Sequence, residues 1–141
     1  MKKRKGKKRG RKSWWLRPQS THPYAKLKKA AWDAISLAIR IEENWTCITC
    51  GIQLLNSSQM QCGHYISRRK MGTFFERRNL AAQCRNCNYN MHNGQIHSIF
   101  AEKLIERYGV NVITELNRLA AKIKKYSREE LLAIINKYNV K

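Results

Sequence analysis

The chain has 141 residues, enough for one domain with one modest core. Its 29 lysines and arginines against 9 aspartates and glutamates leave a formal net charge of +20, which points to a polyanionic partner, with nucleic acid the default. No apolar run approaches the roughly 20 residues that span a bilayer, and no apolar segment follows the basic start, so neither a membrane protein nor a secreted one is expected.

In chain order, residues 1–12 carry Lys2, Lys3, Arg4, Lys5, Lys7, Lys8, Arg9, Arg11 and Lys12 with no acidic residue. Such a stretch repels itself and has no apolar groups to bury, so residues 1–20 read as a flexible DNA-binding arm and residues 21–141 as one domain. Trp14 and Trp15 are read as packing on the core rather than stacking on bases. Thr21, His22 and Pro23 resemble a helix start. Tyr24, Leu27, Ala31, Ile35, Ala38 and Ile39 then recur at helical spacing, predicting a core-facing helix to about Glu43. Residues 52–55 and 60–66 predict a β-hairpin turning at Asn56, Ser57 and Ser58. Residues 67–83 read as a basic loop, whose Arg68, Arg69, Lys70, Arg77 and Arg78 are candidate phosphate contacts. A helix is expected from the second cysteine pair to Tyr108, stopped by Gly109. Asn111 is expected to cap a helix bearing Val112, Ile113, Leu116, Leu119 and Ile123. Ser127 and Glu130 form a capping box for a last helix carrying Leu131, Leu132 and Ile135. The core is placed at residues 45–108 and the C-terminal helices at 111–138.

The chemistry lies in the cysteines. Cys47-Ile48-Thr49-Cys50 and Cys84-Arg85-Asn86-Cys87 are two C-x-x-C knuckles with 33 residues between them, the pattern of a tetrahedral structural zinc site. Their use for metal rather than disulfides fits a reducing, intracellular compartment. Cys62, the fifth, reads as a buried small hydrophobe. Knuckle, hairpin, loop, then a knuckle opening a helix is the treble-clef plan, an α+β fold in which zinc ties hairpin to helix, here with flanking helices. His64, late on a strand, and Asn88, in the first turn of the helix, should then face each other. A neutral imidazole there could draw a proton from water while a hard divalent ion steadies a phosphate.

At this point the chain resembles the HNH, or ββα-metal, nucleases, with Asn79 15 and Asn88 24 residues after His64. The resemblance implies His64 as general base, Asn79 pinning the loop, and Asn88 holding a catalytic Mg²⁺ or Mn²⁺. His92, four residues after Asn88 on the same expected helix, and Gln61 are further candidate ligands. The chain is more similar to the phage NinG/Rap recombination proteins. The similarity rests on Cys47 to Gly51, Gly63-His64-Tyr65-Ile66-Ser67-Arg68, Arg78-Asn79-Leu80 and Gln83 to Asn88. That family implies metal-dependent cleavage of branched DNA, such as Holliday junctions and D-loops, in the cytoplasm of a bacterial host, with a homodimer suited to paired cuts. The chain departs from the HNH pattern at Gly63, where a ligand usually precedes the histidine, and only Glu76 is acidic between the knuckles. Two rival readings follow: a non-catalytic zinc module that binds DNA or RNA, and a simple HNH nicking or restriction-type nuclease.

Overall fold

The computed structural model describes residues 23–140. The basic arm, Trp14, Trp15, Thr21 and His22 lie outside them. Helix α1 spans Pro23–Glu42 and buries Ala31, Ile35 and Ile39, the centre of the expected stripe. Its start is fastened by Tyr24, whose hydroxyl donates to the Tyr126 carbonyl at 2.9 Å. Strands β1 (Met60–His64) and β2 (Leu80–Cys84) pair antiparallel, with Met60 opposite Cys84 and His64 opposite Leu80. Then come α2 (Arg85–Tyr89), α3 (Gly94–Tyr108), α4 (Val112–Ala120) and α5 (Arg128–Tyr138). The fold is α+β, a small two-stranded sheet among helices.

The expected hairpin is not there. The turn at Asn56 forms, with a left-handed φ of 52°, but residues 52–55 contribute only a single bridge, Thr46 to Gln53. Ile52 and Leu55 stay exposed, so nothing rewards extending this segment into a strand. The partner of β1 comes instead from the stretch read as a basic loop. All five residues of β2 are buried, Leu80-Ala81-Ala82-Gln83-Cys84, and two alanines let elements pack on both faces. Leu80 joins α1 and α5 in one core cluster, while Ala81 joins α3 and α4 in another. A strand covered on both sides lacks the polar alternation that marks a half-exposed one. Ahead of it, Met71–Thr73 and Arg77–Asn79 form short 3-10 turns.

The expected helix to Tyr108 breaks into α2 and α3. Asn90 turns back to donate to the Asn86 carbonyl at 2.8 Å, and Asn93 caps α3 by accepting from the Gln95 and Ile96 N–H groups. Gly109 ends α3 at φ 94°, as read. Asn111 precedes α4 but makes no side-chain cap, and Ile123 falls beyond the helix, fully exposed. The Ser127–Glu130 capping box is present, and α5 buries Leu131 against α1.

Glu43 gathers these layers just beyond α1. Its nearly buried carboxylate accepts from Arg77 at 3.2 Å, from Arg107 of α3 at 2.7 Å and from the Ala82 N–H of β2 at 2.7 Å.

Candidate metal centre and candidate cleft

Cys47 and Cys50 sit on a turn closed by Gly51 at φ 77°, and Cys84 and Cys87 on the step from β2 into α2. All four are reduced, and their sulfurs lie within 4.8 Å of one another. Cys50 Sγ and Cys84 Sγ are 3.8 Å apart. A tetrahedron with Zn–S bonds of about 2.3 Å has edges of about 3.8 Å, so the donor set fits zinc in type, number and spacing. Cys84 Sγ accepts the Cys87 N–H at 3.5 Å, a bond that orients the sulfur. Burial pushes the Cys47 thiol up, but N–H groups of Cys50, Cys84 and Thr49 outweigh it and leave Cys47 below its ordinary value. Cys50 and Cys87 are raised, by burial first and then by neighbouring thiols. Sulfurs so crowded ionise together only around a cation. Among the described residues, this is the one group of three or more His, Cys, Asp or Glu side chains close enough to hold a metal ion.

Towards the His64 end of the sheet lies a cleft of about 530 Å³, lined among others by Trp32, His64, Arg68, Asn88, His92 and His97. It runs on into a second hollow that adds Ser36, Arg40 and Gln61. The His64 ring stacks on Trp32 at 4.8 Å and 17°, and Phe74 lies against it at 5.1 Å. His64 Nε2 is 3.1 Å from the Phe74 carbonyl oxygen. A carbonyl only accepts, so Nε2 carries the proton and Nδ1 keeps its lone pair. Burial lowers the His64 pKa to about 4, against the upward pull of the Phe74 carbonyl and helped by the Arg68 charge. The imidazole is therefore neutral near pH 7, able to accept a proton but holding none to give as imidazolium.

Asn79 does not line this cleft but stands behind it, fully buried. Its Oδ1 accepts the Ile66 N–H at 2.7 Å, and its Nδ2 donates to the Ile66 and Thr73 carbonyls, each at 3.1 Å. It thereby fixes the turn after His64 to the segment that carries Phe74. Asn88 and His92 both reach the cleft, but not from one helical face. Helix α2 stops at Tyr89 because Asn90 folds back onto Asn86, and His92 lies in the turn beyond. Gln61 accepts from Asn88 Nδ2 at 2.8 Å, and Asn88 Oδ1 has no intramolecular partner among the described residues.

Arg77 and Arg78 are both engaged by carboxylates of the chain itself. Arg77 is held by Glu42, Glu43 and the Leu80 carbonyl, and Arg78 by Glu76 and Glu115. Glu76 is thereby spent too, pairing with Arg78 and capping the 3-10 turn. Arg68, Arg69 and Lys70 remain exposed, with Arg68 on the cleft wall. No carboxylate lines the cleft among the described residues. Its neutral amides and imidazoles do not fit a resident Mg²⁺, which is held through carboxylate oxygens.

Sequence reasoning missed Trp32. The signal was a second stripe on α1 beside the apolar one, Trp32, Ser36 and Arg40 at intervals of four. His97, without a visible partner in the sequence, stacks on Tyr65 at 4.5 Å. Cys62 is buried as expected, its thiol pushed up to about 12 by burial.

The structure thus defines a small α+β protein built round a four-cysteine corner suited to a metal, with an open, carboxylate-free cleft beside it. Among the described residues no helix is long and apolar enough to cross a membrane. The whole chain, residues 1–141, matches the family described as Bacteriophage Lambda NinG protein, and it belongs to that family. Membership suggests a phage recombination-related role. No curated protein and no solved structure matches it.

Proposed function

We propose that the chain is a DNA endonuclease acting on branched recombination intermediates, Holliday junctions and D-loops, as a Holliday junction resolvase-like enzyme of HNH type. The observation that carries this reading is the state of His64. Its ring is clamped by Trp32 and Phe74, its Nε2–H is engaged by a carbonyl, and Nδ1 is left as a base in a cleft walled by Arg68 and Asn88.

A phosphodiester entering the cleft meets the Arg68 guanidinium, which neutralises it and offers planar donors. A water on the far side of the phosphorus gives its proton to Nδ1 as its oxygen attacks, and the ester oxygen opposite leaves, taking a proton from solvent in the open cleft. The imidazolium so formed is stabilised by the phosphate's negative charge, which raises the His64 pKa towards the working range. Asn88 Oδ1, free of internal bonds, accepts from the attacking water and orients it. Asn79 acts one step removed, by holding the Phe74 segment. Among the described residues no carboxylate lines the cleft to hold a Mg²⁺ or Mn²⁺, so the assay is run with and without added ion. Lys2 to Lys12 of the arm, with Arg69 and Lys70, would add sequence-independent phosphate contacts. Opposed cuts in a symmetric junction would need two such clefts, hence a homodimer.

The test is cleavage of a labelled four-way junction against matched duplex. His64→Ala should lower the cleavage rate by about 10² to 10⁴ while zinc content and junction binding hold. Full activity in that variant would refute the assignment. The carboxylate-free cleft favours a second reading, a zinc module that binds DNA without cutting it. Tight junction binding with no cleavage under any metal condition would establish that instead.

A further inference from the structure

Helix α2 turns Asn88 towards the cleft and, one residue or about 100° round the helix, Tyr89 towards solvent. Tyr89 is 81% exposed, the most exposed aromatic side chain among the described residues. Arg85 lies one turn earlier on the same face, also exposed. With Gln59 and Asn86 these two line a hollow of about 390 Å³.

Three features of this patch decide what it could take. First, it is uncompensated. Asp33, Glu42, Glu43, Glu76, Glu106, Glu115 and Glu130 are all paired with lysines or arginines, but Arg85 has no carboxylate partner among the described residues. Second, its helix is tied at both ends. Cys84 and Cys87 pin α2 to the four-cysteine corner, and Asn90 bonds back to Asn86 at its other end. An aromatic ring on such a mount loses little freedom when something docks on it. Third, its chemistry is mixed: one flat ring, one guanidinium, and the amides of Gln59 and Asn86. That is too little apolar area for a second copy of the chain, since a stable interface covers about 800 Å² per partner. It does suit a nucleotide, with a π-face to stack, a phosphate to pair and base edges to hydrogen-bond.

We infer that Tyr89 and Arg85 form a subsite for an unstacked nucleotide, taking its base on the ring and its phosphate on the guanidinium, beside the cleft that holds the scissile phosphate. The subsite deepens the proposed function and rests on it. In a branched DNA the nucleotides at the branch are the ones with an exposed base face, so this subsite gives preference for junction over duplex, which arm charge alone cannot give.

The experiment uses the full zinc-loaded chain and a four-way junction carrying 2-aminopurine at the branch, without added Mg²⁺ or Mn²⁺. Binding should quench the probe. Tyr89→Ala should abolish the quenching and weaken junction binding about tenfold, with a smaller loss on duplex. Tyr89→Trp should keep both. Arg85→Gln should lower the salt dependence by about one phosphate contact. Unchanged quenching and affinity in Tyr89→Ala would overturn the inference. So would a Tyr89→Ala variant altered only in its association state, which would make a second copy the occupant. If the wild type quenches the probe but cuts the junction neither here nor when Mg²⁺ or Mn²⁺ is then added, the subsite stands and the nuclease reading falls. If it cuts junctions and Tyr89→Ala binds like wild type, the reverse holds.

Discussion

The four-cysteine corner and the His64 cleft share the same two strands and the same short helix, yet they are built on opposite plans. At the corner, four soft donors converge within 4.8 Å and three of the four are buried. Nothing is left over for a substrate, which is the signature of a site that holds the fold together. At the cleft the groups are fewer and left open: a histidine nitrogen, an asparagine oxygen and an exposed arginine cation. Helix α2 connects the two, with Cys87 facing the corner and Asn88 facing the cleft. A closed four-cysteine corner suited to a metal thus sets the position of an open cleft.

That contrast can be broken most forcefully at the corner. Cys84→Ser removes one of four ligands, and zinc in such sites contributes on the order of 10 kcal/mol at neutral pH. The chain should fail to fold, seen as loss of the helical circular-dichroism signal together with bound zinc by elemental analysis. A folded, zinc-free variant would show that the corner is not what holds α2.

Next comes the carboxylate that seats α1 against both regions. Glu43→Ala leaves Arg77 with only Glu42 and the Leu80 carbonyl, leaves Arg107 unpaired and leaves the Ala82 N–H without its acceptor. Breaking a buried pair from one side costs about 3 kcal/mol. The measurement is a denaturant midpoint on zinc-loaded protein, and an unchanged midpoint would show that the layers do not depend on this hub.

A smaller effect tests why the cleft lacks a ligand beside His64. A Cβ on Gly63 would lie 2.2 Å from Gln83 Oε1, and Gln83 is pinned by its amide nitrogen to Thr49 at 2.9 Å. Gly63→Ala should therefore cost roughly 1–3 kcal/mol by overpacking. Adding Gln83→Ala should return much of that loss, since the two residues compete for one space. If the double variant is no more stable than the sum of the singles, the space is not shared.

The finest test concerns the protonation of His64. Its folded pKa, about 4, lies below the ordinary 6.5, so the unfolded chain binds the proton more readily. The stability that follows is fully present above pH 6.5 and is lost as pH falls towards 4. Trp32→Ala opens the ring to water and should move the His64 titration, followed by NMR, upward towards 6.5, while Trp32→Phe keeps most of the shift. Arg68, whose charge lowers the His64 pKa, and Lys28, which lies with it over the neighbouring Phe74 ring, remain in both variants. A titration that does not move would mean that Trp32 does not control the base.

The sequence by itself determined what is local. The two C-x-x-C steps specify their own turns, the α1 stripe specifies its buried face, and Ser127 with Glu130 specifies a helix start, because each depends on residues within a turn or two. Asn79 was singled out by the family resemblance, though its three hydrogen bonds to Ile66 and Thr73 were not legible. Only the tertiary structure decided the partner of β1. Leu80 to Cys84 carries no strand alternation, being covered on one face by α1 and on the other by α3 and α4. It also decided which arginines are free, since Arg77 and Arg78 are claimed by glutamates up to 37 positions away. And it decided that His64 is a neutral base, because the ring that dries it, Trp32, and the carbonyl that holds it, Phe74, arrive from separate parts of the chain. Short-range spacing encodes donors and caps; burial, and with it charge state, belongs to what the folded chain brings from a distance.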